Sequence, residues 1–331
     1  MSIRTSGKLR ALQKKISLYK TRDEEEIKQI LCLNSDVYVL LLYNSAQQLW
    51  ILVDYKEGQE QGRLILKNLN PGSSDRITNR PVVLFASTIL SFGILAGDEI
   101  HLWKTFKSKP IKEKIRMDSQ DDRLFFDANP VTFIRSMPNG SLLMAHKSVF
   151  SEAYFFSIAV QRLEGYSFSK HPTPLASEDY RHLAHIASVP CILDMLPYGD
   201  DFFIHTPGSC RDWLIYPAET SILIKMNQNG QVMKSRVVEK GRGVFSQDGN
   251  CLMIKPFEND SMLYFYDLND EKSAQFTLDE NTLWTPGTGD TRYIVTDKRI
   301  AAWDSNTLIL SALYNMPEWC FTALSSSKNV G

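Results

Sequence analysis

Five potential metal ligands fall within one stretch of the chain: His182, His185, Cys191, His205 and Cys210. Zinc asks for four nitrogen or sulfur ligands in a tetrahedron, and a helical face could present His182 and His185 together at i, i+3. The stretch has no Cys-x-x-Cys, and its later spacings fit no structural zinc pattern. Pro190-Cys191-Ile192-Leu193 also reads as a buried strand, in which cysteine serves as a small hydrophobe. No metal is expected. Ser209, within Pro207-Gly208-Ser209-Cys210, misses the Gly-x-Ser-x-Gly pattern and the strand–turn–helix setting that a nucleophile elbow needs. The carboxylate pairs Asp121-Asp122 and Asp200-Asp201 sit in turn-like sequence, where Asp is favoured for bonding its own backbone. There is no Walker loop, no Gly-x-Gly-x-x-Gly and no EF-hand loop. No catalytic, cofactor-binding or metal-binding residue is therefore assigned, and no cofactor is expected.

Charge gives two further candidates. Lys104, Lys107, Lys109, Lys112, Lys114 and Arg116 form a basic run on a predicted hairpin. Lysines on an outer strand ordinarily guard a sheet edge, and the rival use is an acidic tail, phospholipid or RNA. The first 22 residues hold Arg4, Lys8, Arg10, Lys14, Lys15, Lys20 and Arg22 with no acid before Asp23. Leu9, Leu12, Ile16 and Tyr19 fall at helical spacing, as in a transit peptide or a membrane- or partner-binding helix. The plainer reading is a solvated arm. Asp23 to Glu26 precede Ile27, Ile30, Leu31 and Leu33, which predicts a short helix with acids in its first turn.

These segments hang on a repeat of short strands. Gly243-Val244-Phe245-Ser246, Cys251 to Pro256, Met262 to Asp267 and Ser273 to Leu278 are four strands joined by tight turns, with Gly249 supplying a positive φ in the first turn. The scheme recurs at Val82 to Met117, at Val131 to Ser169 and from Leu283 to Leu313. Four antiparallel strands in series make one propeller blade. Phe168 to Val238 is irregular. Ala176 to Ala187 reads as a helix, and strands follow at Phe202 to His205, Trp213 to Tyr216, Ile222 to Met226 and Val232 to Val238.

Phe245-Ser246-Gln247-Asp248-Gly249 followed by Tyr264-Phe265-Tyr266-Asp267-Leu268 resembles the blade consensus of WD40-like propellers. Gly97-Asp98-Glu99-Ile100-His101-Leu102-Trp103 and Ile300-Ala301-Ala302-Trp303-Asp304 resemble its third strand. The resemblance touches most of residues 37–326. It implies a propeller scaffold, often used for protein binding, and no catalytic residues.

The expectation is an all-β chain: a single β-propeller of about six four-stranded blades, with seven as the alternative, and short helical additions. Residues 1–35 form a basic N-terminal arm and short helix, and 36–331 form the propeller, with an insertion at 170–188. Strands from the two chain ends close the ring, Trp319 to Ser325 lying beside Val37 to Tyr43, which removes two exposed edges. Hydrophobic residues at 43% and charged residues at 23% suit a globular core, and a net charge of −1 provides no global field to recruit nucleic acid. Five scattered cysteines favour reduced thiols and a cytoplasmic protein. No apolar run is long enough for a transmembrane helix. The function expected is a non-enzymatic protein-interaction scaffold. Its rivals are a propeller hydrolase or lyase with a central-channel site, and an adaptor binding an anionic membrane or nucleic acid through its basic N-terminus. Binding is expected on the segments that depart from the repeat, residues 1–35 and Lys170 to Ser188.

Overall fold

The computed structural model describes residues 4–9, 16–34, 37–56, 59–67, 69, 82–87, 90–97, 99–116, 131–136, 142–146, 154–160, 166–168, 173–174, 194–199, 201–207, 220–227, 232–246, 249–259, 261–278, 292–296 and 299–311. Every regular element among them is a strand. After β1 (Arg4–Leu9) and β2 (Ile16–Lys20), the chain runs through β3 (Glu25–Asn34), β4 (Val37–Asn44), β5 (Leu49–Lys56) and β6 (Gln59–Leu66). It continues with β7 (Val82–Ala86), β8 (Phe92–Ala96), β9 (Glu99–Trp103) and β10 (Ile111–Arg116), then β11 (Val131–Ser136), β12 (Leu142–His146), β13 (Tyr154–Val160), β14 (Tyr166–Phe168) and β15 (Thr173–Pro174). The next run is β16 (Asp194–Tyr198), β17 (Asp201–Pro207), β18 (Thr220–Met226) and β19 (Val232–Glu239). It is followed by β20 (Gly241–Phe245), β21 (Cys251–Pro256), β22 (Met262–Asp267) and β23 (Ser273–Leu278), and finally by β24 (Arg292–Thr296), β25 (Arg299–Trp303) and β26 (Thr307–Ser311).

Each run is an antiparallel meander whose first strand lies inward. Inner strand β7 packs against β3 and β11, β16 against β11 and β20, and β20 against β24. Radially arranged four-stranded meanders make a β-propeller of the WD40-like kind. Among the described residues the hydrogen-bonded sheets number five, so the expected six or seven blades are corrected to five. The reason lies at Ile115 and Arg116 of β10, which pair in parallel with Tyr166 and Ser167 of β14. That contact merges the meanders β7–β10 and β11–β14, with β15 beside β13, into one nine-stranded sheet.

The short helix expected after Asp23 is also corrected, while the helix expected at Ala176 to Ala187 lies outside the described residues. Residues 23–33 were read as a helix because Ile27, Ile30, Leu31 and Leu33 fit a helical face. They instead form β3, in which Glu25, Ile27 and Cys32 are buried and β4 lies alongside as the antiparallel partner. Short apolar runs are ambiguous between the two periods, and the hydrogen-bond ladder decides. The helical spacing at Ile16 and Tyr19 yields to β2 in the same way.

The ring is closed by strands from both ends of the described chain, through different strands from those expected. Val37 to Tyr43 has both edges filled, by β3 and β5, so it has no room for Trp319 to Ser325. The closing pair is β2 with β26, Ile16 opposite Leu310 and Lys20 opposite Thr307. Residues 319–325 lie outside the described residues. Across the closure, Tyr19, Trp303, Ile294 and Leu308 share one buried cluster with Ile27, Leu40, Leu42 and Val53. The Ile27 amide donates to the Ser305 carbonyl at 2.6 Å, and the Thr21 amide donates to that of Asn306 at 2.9 Å.

The residues that resemble the blade consensus serve the turns. Asp267 Oδ1 accepts from the amides of Asn269 and Asp270 at 2.7 and 3.1 Å. Asp304 Oδ1 accepts likewise from Asn306 and Thr307, both at 2.8 Å. An aspartate after the third strand thus caps the turn into the fourth, a local bond that short acidic side chains make well. Gly249 has a φ of 77°, as its place in the turn requires.

Candidate functional site

The inner strands carry the buried polar groups that a channel site would need. Asp194 opens β16, and its carboxylate is nearly sealed from solvent. Oδ1 accepts from Arg135 Nη2 on β11 at 3.1 Å and from its neighbour's amide, Met195, at 2.8 Å. Oδ2 accepts from the Phe245 amide on β20 at 3.1 Å. Burial raises the Asp194 pKa, against the pull of Arg135 and the two amides. One carboxylate therefore ties three consecutive inner strands together. A second tie of the same form lies at β3, where Gln29 Oε1 accepts from the Leu84 amide of β7 at 2.6 Å. In both, an inner-strand side chain saturates a backbone amide of the next inner strand. The chemistry on offer is stitching, because the Asp194 oxygens are already engaged by the protein's own donors.

His205 faces the same seam from β17, where it pairs across the ladder with Asp194. It is fully buried, and neither ring nitrogen has a hydrogen-bond partner among the described residues. Burial pushes its pKa down to about 3, so the ring is neutral. It lies flat on Gly243 of β20: a Cβ there would stand 2.1 Å from His205 Nδ1. Gly243 is thus required for close approach. Phe203, Leu223, Phe245, Leu252 and Ile254 complete the apolar seam.

Other residues read as candidate chemistry are scattered. Of the metal-ligand set only His205 is described; His182, His185, Cys191 and Cys210 lie outside the described residues, as does Ser209. No three His, Cys, Asp or Glu side chains converge as metal ligands among the described residues. Asp121, Asp122 and Asp200 are also outside them, and Asp201 is paired with Lys225 at 3.0 Å. Lys104, Lys107, Lys109 and Lys112 are exposed on the β9–β10 hairpin, where Lys107 stands near Asp54. Lys114 and Arg116 continue on β10. Glu25, read as a helix-start acid, is instead a buried ion-pair partner of Arg63 at 2.5 Å. Of the 170–188 insertion only Thr173–Pro174 is described, as β15 beside β13. No helix of the described chain is long and apolar enough to cross a membrane.

The surface offers a different kind of site. Strand β19 is the outer strand of its blade and pairs only with β18 among the described residues. Along it Met233 is 58% exposed and Val237 51%. Met233 is the extra residue of a β-bulge: Val232 and Lys234 pair with Met226 and Lys225, and Met233 is passed over. Bulges re-aim side chains, here outward. Past the end of β19, Lys240 Nζ donates to Glu258 at 3.4 Å. That contact brings the β21–β22 turn alongside, with Phe257 54% exposed. On the other side of β19, Arg236 donates to the carbonyls of Asp267, Glu271 and Lys272 at 2.9 to 3.5 Å and stacks over Tyr266, which fixes the strand against the next blade. Sequence reading missed this strip because exposed apolar residues in a strand look like core residues until the sheet faces are known. Asp194 did leave a signal, a lone acid inside Ile192-Leu193-Asp194-Met195-Leu196.

Comparison with known proteins adds the fold alone. No protein-family model matches the chain, and no curated protein does. Among solved structures, the WD40 domain of SCAP from fission yeast aligns with a TM-score of 0.36 and 11% identity, over 89% of this chain and 72% of that one. The sialidase of Trypanosoma rangeli aligns at 0.44 and 8%, over 90% and 59%. The Nup170 N-terminal domain of Chaetomium thermophilum, solved with Nup53, aligns at 0.40 and 8%, over 93% and 63%.

Proposed function

We propose that this protein is a non-enzymatic interaction scaffold that binds another protein through the outer rim around β19. The observation that carries the reading is exposed Met233 and Val237 on a strand whose opposite side is pinned by Arg236, with exposed Phe257 on the neighbouring β21–β22 turn. Apolar and aromatic anchors on a rigid support are what a protein partner can desolvate at little conformational cost. The inner-ring polar groups support the same reading, since Asp194, Arg135 and Gln29 spend their bonds between blades. The scattered, odd cysteine set supports a cytoplasmic setting for the scaffold.

The test compares affinity capture by the wild-type chain with capture by Met233→Glu, Val237→Glu, Phe257→Glu together. The triple variant should keep its melting transition and lose a defined set of captured proteins. Capture of the same proteins in the same amounts would overturn the reading.

A further inference from the structure

Strand β1 is an addition that its blade does not need. Strands β20 to β23 already make four, all antiparallel, like the meander of β16 to β19. Residues 4–9 then join the outer edge of β23 as a fifth strand, and they join it in parallel: Arg4 lies opposite Ser273 and Leu9 opposite Leu278, in unbroken register. Parallel addition of a remote segment to an outer edge is the geometry of strand-addition peptide recognition. Without it, β23 would present its unpaired backbone groups as β19 does.

The segment itself is a poor strand. Arg4-Thr5-Ser6-Gly7-Lys8-Leu9 has one large apolar residue and a glycine in its interior, which weakens a strand. Its place is given by the backbone ladder. Strand β23 carries no charge of its own, and the acids at its N-terminal end are answered within the protein. There Asp270 pairs with Lys272 at 3.0 Å, and Arg236 caps the turn carbonyls. At the other end the register sets Lys8 opposite Thr277 and Leu9 opposite Leu278, and Asp279 and Glu280 follow Leu278 in the sequence.

We propose that the outer edge of β23 is a docking edge for an extended basic peptide, held in cis by residues 4–9, which a competing segment of the same chemistry displaces. The site is separate from the β19 strip and stands without it. The reading needs a full-length chain in which β1 cannot pair. Consecutive residues of a parallel strand face opposite edges, so one of Thr5 and Ser6 must donate to β23. The double substitution Thr5→Pro, Ser6→Pro removes that donor. A chain lacking residues 1–9 serves as the second variant.

The probe is a fluorescein-labelled peptide with the sequence of residues 3–10, Ile-Arg-Thr-Ser-Gly-Lys-Leu-Arg, read by anisotropy. Its control carries Glu at the positions of Lys8 and Arg10. Both variants should melt within about 4 °C of wild type and bind the peptide saturably, at least tenfold more tightly than the full-length chain does. They should bind the control at least tenfold more weakly. Amide exchange of residues 273–278 should speed up in the variants and slow again when the peptide is added. Three results would overturn the proposal: folded variants that ignore the peptide, equal binding by wild type, or loss of cooperative melting in both variants. The last would make β1 a structural strand.

Discussion

Two seams between blades solve the same problem by different means. The seam between β16–β19 and β20–β23 is close, and its charged groups, Asp194 and Arg236, bond backbone groups across it rather than each other's side chains. His205 lies on Gly243 with no partner for either ring nitrogen among the described residues, and Phe203, Phe245 and Leu252 fill the rest. The closing seam, between β2 with β24–β26 and β3–β6, adds a charged clasp to its apolar cluster. Arg63 of β6 donates to Glu25 at 2.5 Å, to Tyr19 Oη at 3.1 Å and to both oxygens of Glu60 at 3.1 and 3.2 Å. Burial pulls against the Arg63 charge, yet its bonds to Glu60 and Glu25 raise the pKa above the usual arginine range. The difference follows from connectivity. One residue, Lys240, joins β19 to β20, so that seam is brought together by the chain itself. The closing seam joins segments almost 300 residues apart. Its contacts must repay a long loop closure, which the β2–β26 ladder and the backbone bonds from Ile27 to Ser305 and from Thr21 to Asn306 span, while the charged clasp fixes β2, β3 and β6 to one another beside them.

The comparison can be broken most severely at the closure. Deleting residues 1–22 removes β2 from β26 and should abolish cooperative unfolding measured by circular dichroism, whereas deleting 1–9 should not. A sharp transition in the longer deletion would show that the ring holds without its clasp. Next in size, Arg63→Ala leaves Glu25 buried and unpaired and should cost about 3–5 kcal/mol in denaturant unfolding. A loss under 1 kcal/mol would put the closing seam on apolar contact alone.

At the other seam, Gly243→Ala drives a methyl into the His205 ring and should cost about 1–3 kcal/mol. Adding His205→Ala should return part of that loss, a coupling that a double-mutant cycle reads directly. Additive costs would mean that the two residues do not meet. The pH dependence separates the seams more finely. His205 has a folded pKa of about 3 against 6.5 for the free side chain. The unfolded chain takes up the proton first, so its contribution is complete above pH 6.5. It is then lost at about 1.4 kcal/mol per pH unit as pH falls toward 3. His101, also lowered by burial, acts in the same sense, and Asp194, raised by burial, acts oppositely near the carboxylate range. His205→Leu should therefore flatten the stability profile between pH 6.5 and 5, and an unchanged slope would remove His205 as its source. The smallest effect belongs to Arg22→Ala. This side chain reaches Glu60 at 3.3 Å but is 64% exposed, and its loss should cost under about 0.5 kcal/mol. A larger cost would extend the clasp to the surface.

How much of this was legible beforehand depended on the range of the interaction. The strand Cys251–Pro256, its Gly249 turn and the caps at Asp267 and Asp304 follow from residues within a few positions of one another, and local chemistry fixed them. Glu25 and Ile27 were misread because acids before an apolar run open a helix as readily as they enter a strand. The ladder with β4 decides between them, and Arg63, 38 residues on, takes Glu25 as its ion-pair partner. The β19 strip was legible as a strand at Val232 to Val238, but which of its residues face solvent was not.

By itself, the sequence determined an all-β chain of short meanders, the turns between them and a basic leading segment. Period-two burial, turn residues and Asx caps act over one hairpin, and a single strand of sequence contains them whole. Only the tertiary structure decided that the ring closes through β2 on β26 rather than through residues 319–325 beside Val37 to Tyr43. It alone decided that β10 and β14 merge two meanders, that Asp194 stitches three inner strands, and that His205 rests on a glycine of the next blade. Each of these is a meeting of segments far apart in the chain. Edge pairing and close packing are set by which surfaces remain once local structure has formed, and no local pattern encodes that remainder.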